Sequence, residues 1–478
     1  MTSPHSADLR EAILARLPYT PNEQQAAVID AFARFFAPDA PQWSAFILNG
    51  YAGTGKTTLV GALVQAYESL GGKTVLLAPT GRAAKVFSAG AASHPASTIH
   101  RKIYRHKSNA AGEYSAPAPA DNRHVDTIFI VDEASMIGAS REGSLSLLDD
   151  LVEYVYAGPG CRLFLLGDTA QLPPVGEECS PAMRADRLRA YGLKVTAATL
   201  TRTVRQSAGS GILYNATVLR RAMAKAIKAV REGATAPFPH LRTSGFTDVR
   251  TVLPEDLPEL LEAAYSQGGP DSTVMITRSN KRAAAYNMAI RANVLYREEE
   301  LSRGDVLIIA RNHYFHSRKT GEPDFVANGE SATVLKIYGS EQRYGMRFAD
   351  VRIRTSEDIE IDTKIVLDTL AADTAVLPQE TRAALYQQLI AQFEADGNGD
   401  FRTDPYWNAL EVKYAYAVTC HKAQGGQWDN VFVDLSYIPE DALGLTLYRW
   451  LYTAVTRAKT NLYLIAPPEA IMEDLPKS

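Results

Sequence analysis

Cysteine is scarce in this chain: Cys161, Cys179 and Cys420 are the three in 478 residues. Their number is odd and their spacing too wide for a CxxC knuckle. That excludes a disulfide framework and a zinc ribbon and leaves three reduced core thiols as the expectation. Long apolar runs are missing as well. None approaches the roughly 18–20 residues that a bilayer crossing takes, and the opening MTSPHSADLR has no charged stretch followed by an apolar one. A cytoplasmic location without membrane contact is therefore expected. Nor is positive charge in excess, with 50 Lys and Arg against 54 Asp and Glu and a formal net charge of −4. A protein that coats nucleic acid carries an overall basic balance; this one has room for a narrow track holding a few nucleotides. The local exception is HRKIYRHK, His100 to Lys107.

What is present is ordinary for a globular protein, 46% hydrophobic and 22% charged residues, in a chain too long for one hydrophobic core, so about two to four domains are expected. Short apolar runs bounded by turn residues recur with helical segments between them: AFILN, TVLLAP, TIFIVDE and RLFLLGD early, then TVMITRS, YAYAVT, NVFVDL and NLYLIA late. Apolar side chains at successive positions suit strands buried on both faces, the pattern of a parallel sheet wrapped by helices. Two α/β lobes follow. Between them GDVLII, SATVLKIYG, MRFADVRIRT and IEIDTKIVL read as a small antiparallel barrel. A helix comes next, with Leu385, Leu389, Ile390 and Phe393 on one face.

The strongest local signal is GYAGTGKT, Gly50 to Thr57, which fits the Walker A pattern at every fixed position between a predicted strand and a predicted helix. Gly50, Gly53, Thr54, Gly55, Lys56, Thr57 and Thr58 form the expected nucleotide-binding loop. Its backbone N–H groups close around phosphate oxygens at a helix N-terminus, Lys56 reaches the β and γ phosphates, and Thr57 ligates Mg2+. ATP and Mg2+ are thus the expected cofactors. IFIVDEAS ends an apolar strand in adjacent carboxylates: Asp132 for the magnesium shell through water and Glu133 to polarise the attacking water. FLLGDTAQLPPVG ends a third strand, with Gln171 as a γ-phosphate sensor. All three strand ends should meet at the C-terminal edge of one sheet.

GYAGTGKTT, APTGRAAKV, STIHR, IVDEASM, LGDTAQLPPVG, TRTVRQS, VTCHKAQGGQWDNVFVDL and YTAVTRAK run in the order of the motifs of superfamily 1B helicases. The chain resembles their RecD and phage Dda branch, most of all the Dda-type helicases, over roughly residues 20–467. The resemblance implies an ATP-driven motor that tracks along single-stranded DNA from 5′ to 3′ and separates duplex, acting as a monomer on single-stranded and forked DNA. It places Gln24 at the adenine, and Arg205 and Arg457 as arginine fingers from the second lobe. It places Pro79, Thr80, Thr98 and His100 of the first lobe, and Thr419, His421 and Lys422 of the second, on the DNA strand. A Cys420–His421 nucleophile is the rival reading there, disfavoured because neighbours on a strand point to opposite faces.

The expected fold class is α/β, with two RecA-like parallel-sheet lobes, a small 1B pin segment and an SH3-like β insertion. The expected domains are 1A over 1–100 and 125–190, 1B over 101–124, 2A over 191–300 and 412–478, and 2B with a helical arm over 301–411. The basic island then divides. His100 belongs to a DNA-contacting motif, and Lys102 to Lys107 lead into the 1B segment, whose aromatics Tyr114 and Tyr104 are the candidates for a strand-separating pin. Opening one base-pair step forfeits about 1.4 kcal/mol of stacking, and a base stacked on an aromatic returns about 1–3 kcal/mol, so one tyrosine suffices. The alternatives left open are an RNA-directed superfamily 1 helicase and a DNA-stimulated remodelling ATPase that needs a partner.

Overall fold

The computed structural model describes residues 6–37, 39–91, 94–105, 118–139, 146–203, 209–234, 238–311, 313–316, 323–374, 376–396, 404–438 and 444–473. Tyr114 and Arg205 lie outside the described residues.

The first lobe is built on strands β1 (Ser44–Gly50), β2 (Lys73–Ala78) and β3 (Ala96–Thr98). A two-residue antiparallel pair follows, β4 (Tyr104–Arg105) with β5 (Ala118–Pro119). It is followed by β6 (Thr127–Val131), β7 (Arg162–Gly167) and β8 (Lys194–Leu200). Six of these form one sheet in the order β3-β2-β6-β7-β1-β8, with every neighbour parallel. The helix Glu23–Phe36 covers one face. Its Val28, Phe32, Phe35 and Phe36 fall on one side at helical spacing. Phe32 meets Phe46 and Phe164, paired across β1 and β7, with ring centroids 5.1 Å apart in both contacts. Each fully buried Phe contributes about 1.5–3 kcal/mol. The other face, with Ala45, Ile47, Phe129, Val131, Leu163 and Leu165, packs on the helix Leu147–Ala157. Burial on both sides is why the sequence of the inner strands is apolar without alternation.

The second lobe begins with β9 (Val249–Val252) and β10 (Thr273–Thr277). The chain then leaves the sheet for β11 (Val306–Ile309), β12 (His313–His316), β13 (Pro323–Val326), β14 (Ser331–Arg343), β15 (Met346–Thr355), β16 (Glu360–Val366) and β17 (Leu410–Tyr414). Five of these close a barrel in the order β11-β14-β15-β16-β17. Its neighbours are antiparallel except β16 and β17, which run parallel. The helix Gln379–Asp396, between those two strands, supplies the long return that a parallel pair requires. Its Leu385 and Leu389 pack on Met346, Phe348, Val366 and Tyr406 of the barrel unit. The lobe is completed by β18 (Ala417–Thr419), β19 (Trp428–Asp434) and β20 (Ala458–Ile465), in a parallel sheet ordered β18-β10-β19-β20-β9.

Insertion and lobe meet at Asp305, which is fully buried. Its carboxylate accepts from Arg291 Nε at 3.1 Å and Nη2 at 3.0 Å, from Tyr416 Oη at 2.8 Å, from the Ser302 N–H at 2.7 Å, and from Arg297. A buried carboxylate stands only when so surrounded.

Two expected boundaries move. Lys194–Leu200, assigned from sequence to the second lobe, pairs with Ser44–Gly50 and forms the edge of the first sheet. Its side chains are mostly exposed or half-exposed, so the continuous apolar signature that marks the inner strands is absent. YAYAVT, read as one strand, is divided: Tyr414 ends the barrel strand and Ala417 opens the sheet strand, so the 411/412 boundary falls inside β17. Cys161 and Cys420 are buried and Cys179 is half-buried, all as free thiols. Among the described residues no helix is long and apolar enough to cross a membrane.

Candidate active site and nucleic-acid interface

The loop after β1 turns through two left-handed glycines, Gly53 at φ 74° and Gly55 at φ 77°. A side chain is strained at such angles, and at Gly53 a Cβ would also stand 2.9 Å from Leu213 of the second lobe. Gly55 caps the helix Lys56–Ser69 without a side-chain bond, leaving its first N–H groups for a ligand. Lys56 Nζ lies 3.2 Å from the carbonyl of Gly50. Gln25 steadies the loop from behind: it completes a capping box with Asn22 and donates through Nε2 to Thr54 O at 3.1 Å.

Asp132 and Glu133 follow β6, and Asp168 follows β7, the neighbouring strand. Burial pushes the Asp132 carboxyl up to about 6, against the pull of Lys56 and with the push of Glu133. Burial also raises Asp168, which Lys56 again opposes. Lys56 thus counters, at two carboxyl groups, the upward push that burial exerts on them. Glu133 sits at φ 52°, a left-handed backbone uncommon outside glycine, and such strain concentrates at functional positions. Glu133 Oε2 and Gln171 Oε1 are buried and have no hydrogen-bond partner among the described residues. Unsatisfied buried oxygens cost free energy, which marks both as candidates to accept from a ligand or its water.

The second lobe reaches this edge. From the helix Leu445–Val455, Tyr452 Oη accepts from the Ala52 N–H at 2.9 Å and donates to Asp168 Oδ2 at 2.6 Å. Thr453 Oγ1 accepts from the Leu172 N–H at 2.8 Å, and Gln424 Nε2 donates to Leu172 O at 2.7 Å. Arg220 stacks its guanidinium 4.5 Å from the centre of the Tyr51 ring. None of these residues stands out in sequence, because each is defined by a partner in the other lobe. Arg457 is turned to its own lobe: it is buried, with Nε donating to Thr453 O at 3.0 Å and Nη1 to Gly426 O at 3.2 Å. Gln24 is engaged with the end of β8, accepting from the Thr201 and Arg202 N–H groups at 3.0 Å each.

The strand-contact candidates line the same edges of both sheets. Pro79 and Thr80 follow β2, and Thr98 ends β3, with Ala78 and Thr98 in register. Thr80 and Thr98 each cap a helix, accepting from Ala83 N at 3.2 Å and Arg101 N at 3.3 Å. Burial pulls the His100 imidazole down to about 4, with Asp150 opposing, so the ring is neutral at physiological pH. In the second lobe Thr419 ends β18 beside Thr277, His421 is exposed and Lys422 half-buried. Cys420 is buried beneath them, its thiol pushed up to about 12, which leaves it no nucleophile. Tyr104 is bonded to Asp150 at the root of the 1B segment, its hydroxyl 2.5 Å from Oδ2.

Between the two edges the lobes touch. Arg82 lies 4.4 Å over the Trp428 ring, and Gly425, at φ 73°, packs so closely that a Cβ would stand 2.8 Å from that of Ala83. Gly425→Ala is expected to separate this seam and lower nucleic-acid-stimulated ATP hydrolysis about tenfold, as misplacement of remote groups does; steady-state turnover with and without single strands checks it.

A P-loop and paired carboxylates on one parallel sheet, faced by a second parallel sheet, define a two-lobed α/β protein of the P-loop type. Residues 20–248 match the AAA domain family and residues 414–465 the UvrD-like helicase C-terminal domain. The ATP-dependent RecD2 DNA helicase of Deinococcus radiodurans is 26% identical over 452 residues, 92% of this chain and 48% of that protein; the chain thus spans about half of that relative's length. The ATP-dependent DNA helicase dda of Enterobacteria phage T4 is 23% identical over 439 residues, 87% of this chain and 93% of the phage protein. A crystal structure of Pif1 helicase from Bacteroides in complex with ADP-AlF3 and ssDNA superposes on 96% of this chain and 95% of its own, with a TM-score of 0.46 and 15% identity. The chain is similar to superfamily 1B helicases of the RecD/Dda branch.

Proposed function

We propose that this chain is an ATP-dependent DNA helicase that tracks 5′ to 3′ along a single strand and parts the duplex ahead of it. The observation that carries the reading is that two buried oxygens, Glu133 Oε2 and Gln171 Oε1, have no partner among the described residues, on the sheet edge where Lys56 opposes the upward shift that burial gives Asp132 and Asp168. This donor set fits MgATP. The loop from Gly50 to Thr58 would take the phosphates, and Thr57 with Asp132, through water, would hold Mg2+. That ion, when bound, neutralises charge on the β and γ phosphates. Glu133 orients and deprotonates the attacking water, and Gln171 reports the γ-phosphate to the turn it sits on. Gln24 meets the base, and Arg205 and Arg457 supply positive charge when the lobes close. For Arg457 this entails release from the carbonyls it now holds.

Pro79, Thr80, Thr98, His100, Thr419, His421 and Lys422 form the strand track. Contacts there to phosphate and sugar suit movement over any sequence. The segment that starts from the β4–β5 pair carries the wedge, with Tyr114 as its stacking residue; Tyr104 serves as its anchor. The test is unwinding of forked duplexes with one tail at a time. Opening of 5′-tailed and not 3′-tailed substrate is expected, and Tyr114→Ala should slow it several-fold while single-strand-stimulated ATPase persists. Preferential stimulation by RNA, or hydrolysis without unwinding by the isolated chain, would overturn the reading in favour of an RNA-directed or partner-dependent motor.

A further inference from the structure

We infer that Tyr452 is a positioning residue through which the second lobe sets the geometry of the γ-phosphate sensor Gln171 and of the P-loop together. The inference rests on the ATPase reading above. The chain of contacts is continuous. The Asp168 carboxylate is shared: Oδ2 accepts the Tyr452 hydroxyl at 2.6 Å, and Oδ1 accepts the Ala170 N–H at 3.0 Å. That second bond, with the Gln171 N–H donating to Asp168 O at 3.2 Å, forms the turn on which Gln171 stands. On its other side the same hydroxyl accepts the Ala52 N–H of the phosphate loop. Tyr452 therefore uses its one proton on Asp168 and a lone pair on the loop, and both partners belong to the first lobe while its ring is in the core of the second. Tyr452 and Asp168 are each nearly inaccessible to water, so no solvent molecule replaces either bond without opening the lobes.

The helix that carries Tyr452 grips the rest of the sensor segment as well. Thr453 holds the Leu172 N–H, and Arg449 Nη1 donates to Glu178 O at 2.6 Å. A rotation of this helix, whichever end of the motor starts it, therefore moves Asp168, Gln171 and Ala52 in concert. The hydroxyl makes no contact that a triphosphate would replace: the loop's anion-binding N–H groups are those at the helix start, beyond Ala52. The role is in orientation, not in binding.

Tyr452→Phe keeps the ring and deletes the hydroxyl. In DNA-stimulated hydrolysis by the full chain it is expected to lower kcat tenfold or more, with KM for ATP changed less than about threefold, the signature of lost alignment. Asp168→Asn provides the second arm, and the double variant the third. If Tyr452 acts through Asp168, the double variant is no slower than the slower single, whereas independent losses multiply. Wild-type kcat in Tyr452→Phe, a loss confined to KM, or multiplicative effects in the cycle would each overturn the inference. Failure of the wild-type chain to hydrolyse ATP with DNA would instead overturn the reading on which it rests, so the two failures are distinct.

Discussion

Glu133→Gln is expected to cut kcat for ATP hydrolysis by about 10²–10⁴, the range a general base contributes, while nucleotide affinity stays within about twofold. The substitution is close to isosteric, and Gln is as strained as Glu at φ 52°, so shape is held constant and only basicity is removed. The unpartnered Oε2 of Glu133 is the reason for the size of the effect: among the described residues no hydrogen bond competes for the lone pair that takes the proton. Single-turnover hydrolysis beside equilibrium binding of a fluorescent ATP analogue separates the two quantities. Turnover within a few-fold of wild type would transfer the base role to another group.

Lys56→Ala is expected to abolish nucleotide binding at micromolar ATP and to lower hydrolysis by about 10²–10³ or more, as loss of a charge-stabilising donor does. It has a second consequence in the nucleotide-free protein. Lys56 opposes the upward shift that burial gives Asp132 and Asp168. Without it both folded-state carboxyls rise further above their unfolded values, so the folded chain binds more protons than the unfolded one across a wider range. Stability then falls as pH rises. The melting temperature of Lys56→Ala, relative to wild type, should be lower at about pH 8 than at about pH 5. A difference that is flat in pH would mean that the ammonium does not hold these carboxylates.

The phosphate loop, the carboxylate pair and the central strands were legible because their signals are local: a loop at fixed spacing, or a run buried on both faces. The edge strand Lys194–Leu200 was not, since one covered side leaves a half-polar sequence. The barrel was legible as β-rich, but its closure by Leu410–Tyr414 was not, because that strand arrives after a helix and runs parallel to its neighbour. Least legible was the seam. Tyr452 finds Asp168 from 284 residues away, and nothing in YTAVTRAK names that partner. Arg457, the residue that motif does advertise, is instead found bonded within its own lobe.

The buried Asp305 knot has a mechanical meaning. Breaking a buried ionic network by removing one member costs about 3–5 kcal/mol, more than thermal agitation supplies, so the barrel is a stiff outrigger of the second lobe. Its rim also rests on the first lobe, where Glu357 pairs with Arg101 and Ser331 Oγ accepts from Arg82 Nη2 at 3.4 Å. The Arg101 side of the ion pair is partly exposed, while Gly81 packs so closely on the barrel that a Cβ there would stand 2.8 Å from Ser356 Oγ. The molecule thus has one joint buried within the second lobe and one between the barrel's rim and the first lobe, and the second is made in part by Arg101, the residue next to His100.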